Sequence, residues 1–194
     1  MREKIIAQKI STKYLPLGNK SIEQLSTIIE RRQLDKHKLL LKDREILNSL
    51  YYVDKGLLRM FYLKNGHDIT ENFVSEGNVC INVAGFLEQV PSGLMIEALE
   101  PSVLYEIPYM SMLDMSEYNS ELSSLYRIIL ETSLMHNYNR WDTFQFSTAK
   151  ERYQRFMKDF PSLVNRVPLL NIASYLIMSP ETLSRVRGSM FRKK

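Results

Sequence analysis

The sequence predicts an α+β fold: an antiparallel β barrel or sandwich in the amino-terminal part, then a long helix, then a helical carboxyl-terminal part. Three observations predict it. From Gln33 to Ile107, short runs of β-branched and aromatic residues are broken by turn signals at Asp54-Lys-Gly56, Asn65-Gly66, Glu76-Gly-Asn78 and Glu100-Pro-Ser102, the regular spacing of an antiparallel architecture. From Glu117 to Asp142, Leu122, Leu125, Ile129 and Thr132 recur at steps of three and four, the period of one helix face. The last thirty residues hold two short segments with apolar faces joined by a tight turn.

Composition bounds the function. A chain of 194 residues with 44% apolar content can bury a packed core. No apolar run reaches the length needed to cross a bilayer, and the amino end, Met-Arg-Glu-Lys-Ile-Ile, lacks a secretory apolar segment. A cytoplasmic protein without a membrane partner is expected. The single cysteine, Cys80, rules out an internal disulfide and leaves no thiol set for zinc or an iron-sulfur cluster. His37 and His67 fall in the β region without a paired ligand spacing, and His136 lies on the long helix. No nucleophile with a nearby base and no glycine-rich phosphate loop is found. No metal, cofactor or catalytic residue is therefore expected, and an enzyme of the metal-dependent jelly-roll kind is the disfavoured class.

Residues 1–31 alternate charge with apolar residues at helical spacing (Ile6 and Ile10; then Ile22, Leu25, Ile28 and Ile29), separated by Tyr-Leu-Pro-Leu-Gly-Asn. This predicts two short helices. In the β region, Lys-Asn65-Gly66-His is the strongest hairpin signal. Residues 108–116 predict a short helix, and Phe144–Ser147 a hinge after the long one. Thr148-Ala-Lys-Glu151 has the spacing of a capping box, opening a helix through Tyr153, Phe156 and Met157 towards Pro161. In the terminal pair, Ile172, Ala173 and Leu176 form one apolar face and Leu183, Val186 and Met190 the other, with small Ala173 suited to a close crossing. Ser179 can cap the last helix, Pro180 fits its first position and Glu181 suits its positive end. Its outward face is then Glu181, Ser184, Arg185 and Gly188, with Thr182 and Arg187 at the margins.

Charge is uneven. Residues 150–194 hold ten Lys and Arg against three acids, whereas the rest of the chain has sixteen bases and nineteen acids. A basic end carrying an outward helix face of this kind suits nucleic acid.

Ile-Ala-Ser-Tyr-Leu followed by Ser-Pro-Glu-Thr-Leu-Ser-Arg-Val-Arg resembles the helix-turn-helix of the Crp/Fnr family of bacterial transcriptional regulators. Tyr51-Tyr-Val-Asp-Lys-Gly-Leu-Leu-Arg-Met-Phe-Tyr, Gly-His-Asp-Ile-Thr-Glu-Asn-Phe and Ile96-Glu-Ala-Leu-Glu-Pro-Ser-Val-Leu-Tyr-Glu-Ile resemble, in order, strands of that family's cyclic-nucleotide-binding jelly roll. The resemblance implies a cyclic-nucleotide-binding-like sensor domain over 1–116, a dimerisation helix and hinge over 117–146, and a helix-turn-helix DNA-binding domain over 147–194. It implies a homodimer on a palindromic duplex operator, with RNA polymerase and a small-molecule effector as possible further partners. The residues expected on DNA are Ser179, Pro180, Glu181, Thr182, Ser184, Arg185, Arg187, Arg192, Lys193 and Lys194. The expected dimer seam is Leu122, Leu125, Ile129, Thr132 and His136. In family members that bind a cyclic nucleotide, a Glu takes the ribose hydroxyl and an Arg the phosphate. Asn82 and Ser92 stand at those places here, so neither cyclic AMP nor cyclic GMP is expected to bind, and Asn82, Gly85 and Ser92 are left as candidates for another ligand. Two departures concern DNA: Ile177 stands at a turn position that usually holds Gly, and the chain ends seven residues after Arg187, too soon for the family's following strands. The alternative is a jelly-roll sensor or interaction module that no longer reads DNA.

Overall fold

The computed structural model describes residues 1–191. The chain divides into two compact units: Met1–Met60 with Phe73–Met135, and Phe61–Asn72 with the chain from His136 onward.

The first unit opens with α1 (Arg2–Tyr14) and α2 (Asn19–Thr27), the two predicted short helices. The strands are β1 (Glu30–Leu34), β2 (Leu39–Leu41), β3 (Ser49–Lys55), β4 (Leu57–Lys64), β5 (His67–Ser75), β6 (Val79–Cys80), β7 (Leu94–Ala98) and β8 (Ser102–Pro108), with α3 (Val83–Glu88) between β6 and β7. They form two four-stranded sheets, ordered β1-β8-β3-β6 and β2-β7-β4-β5. The β1–β8, β3–β8, β3–β6 and β2–β7 pairs are antiparallel. Eight strands shared between two sheets in this crossed order make a jelly roll. Each of the four turn signals sits at a junction between two strands, with Asp54 and Lys55 still in β3 and Ser102 already in β8. Asn65 and Gly66 both have positive φ (52° and 77°), the two-residue turn whose twist matches the flanking strands of β4 and β5. At Gly56 (φ 101°), a Cβ would lie 2.2 Å from Ser102 Oγ, so only glycine fits.

After β8 come α4 (Tyr109–Tyr118) and α5 (Ser120–Phe146). The long helix thus starts three residues later than its periodicity suggests. Asn119 explains the break: its backbone is extended, and its side-chain oxygen accepts from the N–H groups of Glu121 (3.0 Å) and Leu122 (3.2 Å). A side chain that satisfies the free donors of a new helix ends the previous one. At its other end α5 runs through Phe144 and Phe146 of the expected hinge, leaving only Ser147 and Thr148 outside helices.

The core of the first unit overturns one expectation. Leu122, Leu125 and Ile129 of α5 are 0%, 0% and 2% exposed and belong to one cluster with Ile6 and Ile10 of α1, Ile22 and Leu25 of α2, Leu50 and Ile107 of the sheet, and Phe86. Three side chains with almost no accessible surface in a single chain have little left to offer a second copy. The expected seam through them is therefore an intrachain core stripe. Thr132 is exposed but turns its hydroxyl back to the Ile128 carbonyl, and His136 is half-buried beside Asn72.

The second unit contains the tip of the β4–β5 hairpin, the last turns of α5, α6 (Ala149–Asp159), α7 (Leu169–Tyr175) and α8 (Pro180–Phe191). The predicted capping box opens α6: Glu151 N–H donates to Thr148 Oγ1 (3.3 Å), and Thr148 N–H donates to the Glu151 carboxylate (2.8 Å). Tyr153 and Phe156 of α6, Ile172, Ala173 and Tyr175 of α7, Leu163, Val167, Leu176, and Leu183 of α8 are buried.

Candidate nucleic-acid interface

The geometry of the terminal helix pair follows from local signals. α7 ends where Leu176 caps it, and Ile177 then adopts φ 51°. Ile177 N–H donates to the Ser174 carbonyl and Met178 N–H to the Ala173 carbonyl, both at 3.1 Å. This is the left-handed helix stop that usually takes glycine. A β-branched residue there is strained, because Cβ approaches the following carbonyl. The turn keeps its form nonetheless, and its side chain is 56% exposed. Ser179 then caps α8: Thr182 N–H donates to Ser179 Oγ (3.2 Å), and Leu183 N–H donates to the Ser179 carbonyl (3.0 Å).

Burial fixes which face of α8 looks out. Leu183 is 1% exposed, and Val186 and Met190 are half-buried on the same side of α8, which packs against α6 and α7. Ser179, Pro180, Glu181, Ser184, Arg185 and Gly188 are exposed, and Thr182 and Arg187 lie at the margins. Glu181, Ser184, Arg185 and Gly188 thus share one surface of α8. Arg185 Nη2 donates to Thr182 Oγ1 at 3.4 Å, a weak bond that leaves the guanidinium edge available. Hydrogen bonding from Ser179 holds the Glu181 carboxyl below the usual carboxylate range, so it stays an acceptor at neutral pH. Arg192, Lys193 and Lys194 lie outside the described residues.

The hairpin tip of the same unit meets α7, not the outward face of α8. Thr70 N–H donates to Ser174 Oγ (2.8 Å), which donates to the Asp68 carbonyl (2.9 Å). Arg140 Nη2 donates to the Thr70 carbonyl (3.1 Å), and its guanidinium lies 4.6 Å from the Phe144 ring centre and 5.1 Å from that of Tyr175. Burial raises the Tyr175 phenol to about 12 and moves the Glu71 carboxyl up. Burial likewise moves the Arg140 guanidinium down. Sequence reasoning missed this arrangement, since residues some seventy positions apart carry no local signal of meeting.

In the first unit, Asn82, Gly85 and Ser92 do come together. Asn82 Oδ1 accepts from Gly85 N–H at the start of α3, Asn82 Nδ2 donates to Ser92 Oγ (3.1 Å), and Ser92 Oγ accepts from Leu94 N–H (3.3 Å). The Asn82 and Ser92 side chains are thus engaged within their own loop. No charge is present among the three, and a Cβ on Gly85 would meet Asn82 Nδ2 at 2.6 Å. The described residues contain no group of three or more His, Cys, Asp or Glu able to hold a metal ion. No described helix is long and apolar enough to cross a membrane.

Comparison with known proteins agrees with this geometry. Residues 31–119 match the cyclic nucleotide-binding domain family. The chain is 27% identical over 190 residues to the anaerobic regulatory protein of Pasteurella multocida, covering 90% of this chain and 68% of the relative. Among solved structures, FixK2 from Bradyrhizobium japonicum superposes with a TM-score of 0.74 at 18% identity, over 84% of this chain and 85% of that one. A protein from Eubacterium rectale assigned to the Crp/Fnr family of transcriptional regulators superposes with a TM-score of 0.68 at 15% identity, over 90% and 84%. Residues 31–119 are thus similar to the cyclic nucleotide-binding domain family, and the chain that carries them shares the fold of these solved regulators.

Proposed function

We propose that the protein is a sequence-specific DNA-binding transcriptional regulator that acts as a homodimer. The observation that carries this reading is the outward face of α8. Glu181, Ser184 and Arg185 stand exposed on a helix whose opposite side is pinned by Leu183, in the most basic part of the chain. Such a helix fits the major groove: Arg185 offers a bidentate edge to guanine, Glu181 an acceptor to cytosine, and Thr182 and Ser184 shorter contacts. Ser179 and the N–H groups of the first turn of α8 suit a phosphate, as do Arg187, Arg192, Lys193 and Lys194.

Because Leu122, Leu125 and Ile129 are occupied, the dimer uses another face of α5. Leu134, Tyr138 and Trp141 recur at steps of four and three and are 52%, 59% and 60% exposed, with Met135 beside them at 55%. A large apolar stripe at this period on a surface helix is the pattern of a helix-helix seam. The jelly roll binds neither cyclic AMP nor cyclic GMP, because a buried phosphate without a cationic partner is costly and none of Asn82, Gly85 and Ser92 supplies one. RNA polymerase, and an effector acting on the first unit, complete the set of partners, in the cytoplasm.

Selection from a random duplex pool at fixed salt, with purified full-length protein and no added effector, tests the reading. An enriched palindrome with half-sites about one helical turn apart is expected. Binding that is independent of sequence and falls steeply with salt would overturn it.

A further inference from the structure

The last turns of α5, together with α6 and α7, line an open cavity of about 360 Å³ within the second unit. Its volume is in the range of small-molecule sites. Rings form much of its wall: Phe156, Phe160 and Tyr175 contact one another with centres 5.5–6.0 Å apart, and Phe144 meets Tyr175 edge-on at 6.3 Å.

The charge of this wall is unbalanced. Arg140, Arg152 and Arg155 line the cavity against one carboxylate, Asp159, and that carboxylate is engaged by Arg155 at 3.5 Å. Glu71 also faces Arg140 electrostatically from the hairpin, where Tyr62 hydrogen-bonds to it and its buried Oε2 has no hydrogen-bond partner among the described residues. Arg152 makes no ion pair among the described residues; its guanidinium lies 6.0 Å from the Phe144 ring centre. Arg140 Nε and Arg152 Nε are both buried and have no hydrogen-bond partner among the described residues. A buried cationic donor left without an acceptor is costly, and an arginine edge is shaped to take two oxygens of a carboxylate or phosphate side by side.

We propose that this cavity is a binding site for a small oxyanion joined to a flat apolar group, an aromatic carboxylate or an aromatic phosphate monoester. The oxyanion accepts from the Arg152 and Arg140 edges, and the flat group lies against Phe160 and Tyr175. Since the cavity needs neither DNA nor a second copy, this proposal stands or falls apart from the regulatory reading.

Calorimetric titration of the full-length protein with benzoate, phenyl phosphate, inorganic phosphate and benzyl alcohol tests it. Saturable binding of benzoate or phenyl phosphate is expected, with the better of the two naming the oxyanion. Arg152→Gln is expected to weaken it at least about tenfold, the effect of losing one charge-assisted hydrogen bond. Benzyl alcohol and inorganic phosphate, each lacking one half of the recognised group, bind at least about tenfold more weakly. Should Arg152→Gln not fold, hydrogen exchange on the unmodified protein replaces it, with ligand-induced protection expected over 136–160. Absence of saturable binding by both aromatic anions, equal binding of benzyl alcohol, indifference to Arg152→Gln, or protection only outside 136–160 would each overturn the proposal.

Discussion

Leu125→Ala separates a core stripe from a dimer seam. Leu125 has no accessible surface and sits in the cluster that ties α5 to α1, α2 and the sheet. Truncation removes three carbons from that cluster, a transfer loss of roughly 2–2.5 kcal/mol at about 0.8 kcal/mol per methylene. Helices on two sides limit collapse into the gap, so the cavity left behind raises the total to about 3–4 kcal/mol, within the span seen for buried Leu→Ala changes. Guanidinium unfolding followed by circular dichroism is the assay. At slopes typical for guanidinium, the transition of the first unit moves down by on the order of 1 M. The shift is the same at two protein concentrations about a hundredfold apart, because the lost contacts are intramolecular. An unchanged midpoint accompanied by conversion to monomers in sedimentation would refute the reasoning and return Leu125 to an intermolecular seam.

Other changes probe the second unit. Thr148→Ala removes one half of the capping box at α6 and is expected to lower stability by about 1 kcal/mol, read as a lower melting temperature for the second unit, whereas Thr148→Ser leaves it nearly unchanged. Ile177→Asn relieves a β-branched residue at φ 51° and is expected to stabilise by roughly 1 kcal/mol, since Asn tolerates the left-handed region; a loss of stability would show that the exposed Ile177 side chain makes a contact worth more than the strain. His136 should make stability depend on pH. Burial, then the Arg140 charge, lowers its pKa, while Asp159 opposes them. The unfolded state therefore takes up the proton first, and the stability contributed by neutral His136 is complete above the ordinary histidine pKa near 6.5 and is lost as pH falls below it. His136→Gln, which keeps a donor towards Asn72, should flatten the unfolding midpoint between about pH 7 and pH 5; an unchanged slope would remove His136 from the account.

What the sequence made legible is local. Asn65-Gly66, the Thr148–Glu151 box and Ser179-Pro180 each act through backbone groups within a few residues, so their chemistry determines structure wherever the chain folds. Leu122, Leu125 and Ile129 show the limit. Their spacing identifies a buried helix face, but a periodic stripe is the same whether it meets its own barrel or another chain. Only the positions of Ile6, Ile10, Ile22 and Leu25, a hundred residues away, decide between them. The ligand candidates have a similar history: Asn82 and Ser92 are read from sequence as the places of missing charges, but their hydrogen bond to each other becomes visible only when the loop is folded. The cavity at Arg140 and Arg152 had no sequence signature at all, because it joins aromatic and basic residues of three helices whose individual patterns are those of ordinary amphipathic segments.

The central claim is that α8 reads bases. The most direct measurement is the affinity of full-length protein and of Arg185→Ala for a selected duplex and for a random duplex, at one salt concentration. The account predicts that Arg185→Ala loses roughly 1–3 kcal/mol on the selected duplex, relaxes preference at one base pair per half-site, and loses much less on random DNA. Equal losses on both duplexes would contradict it, reducing Arg185 to one more backbone charge.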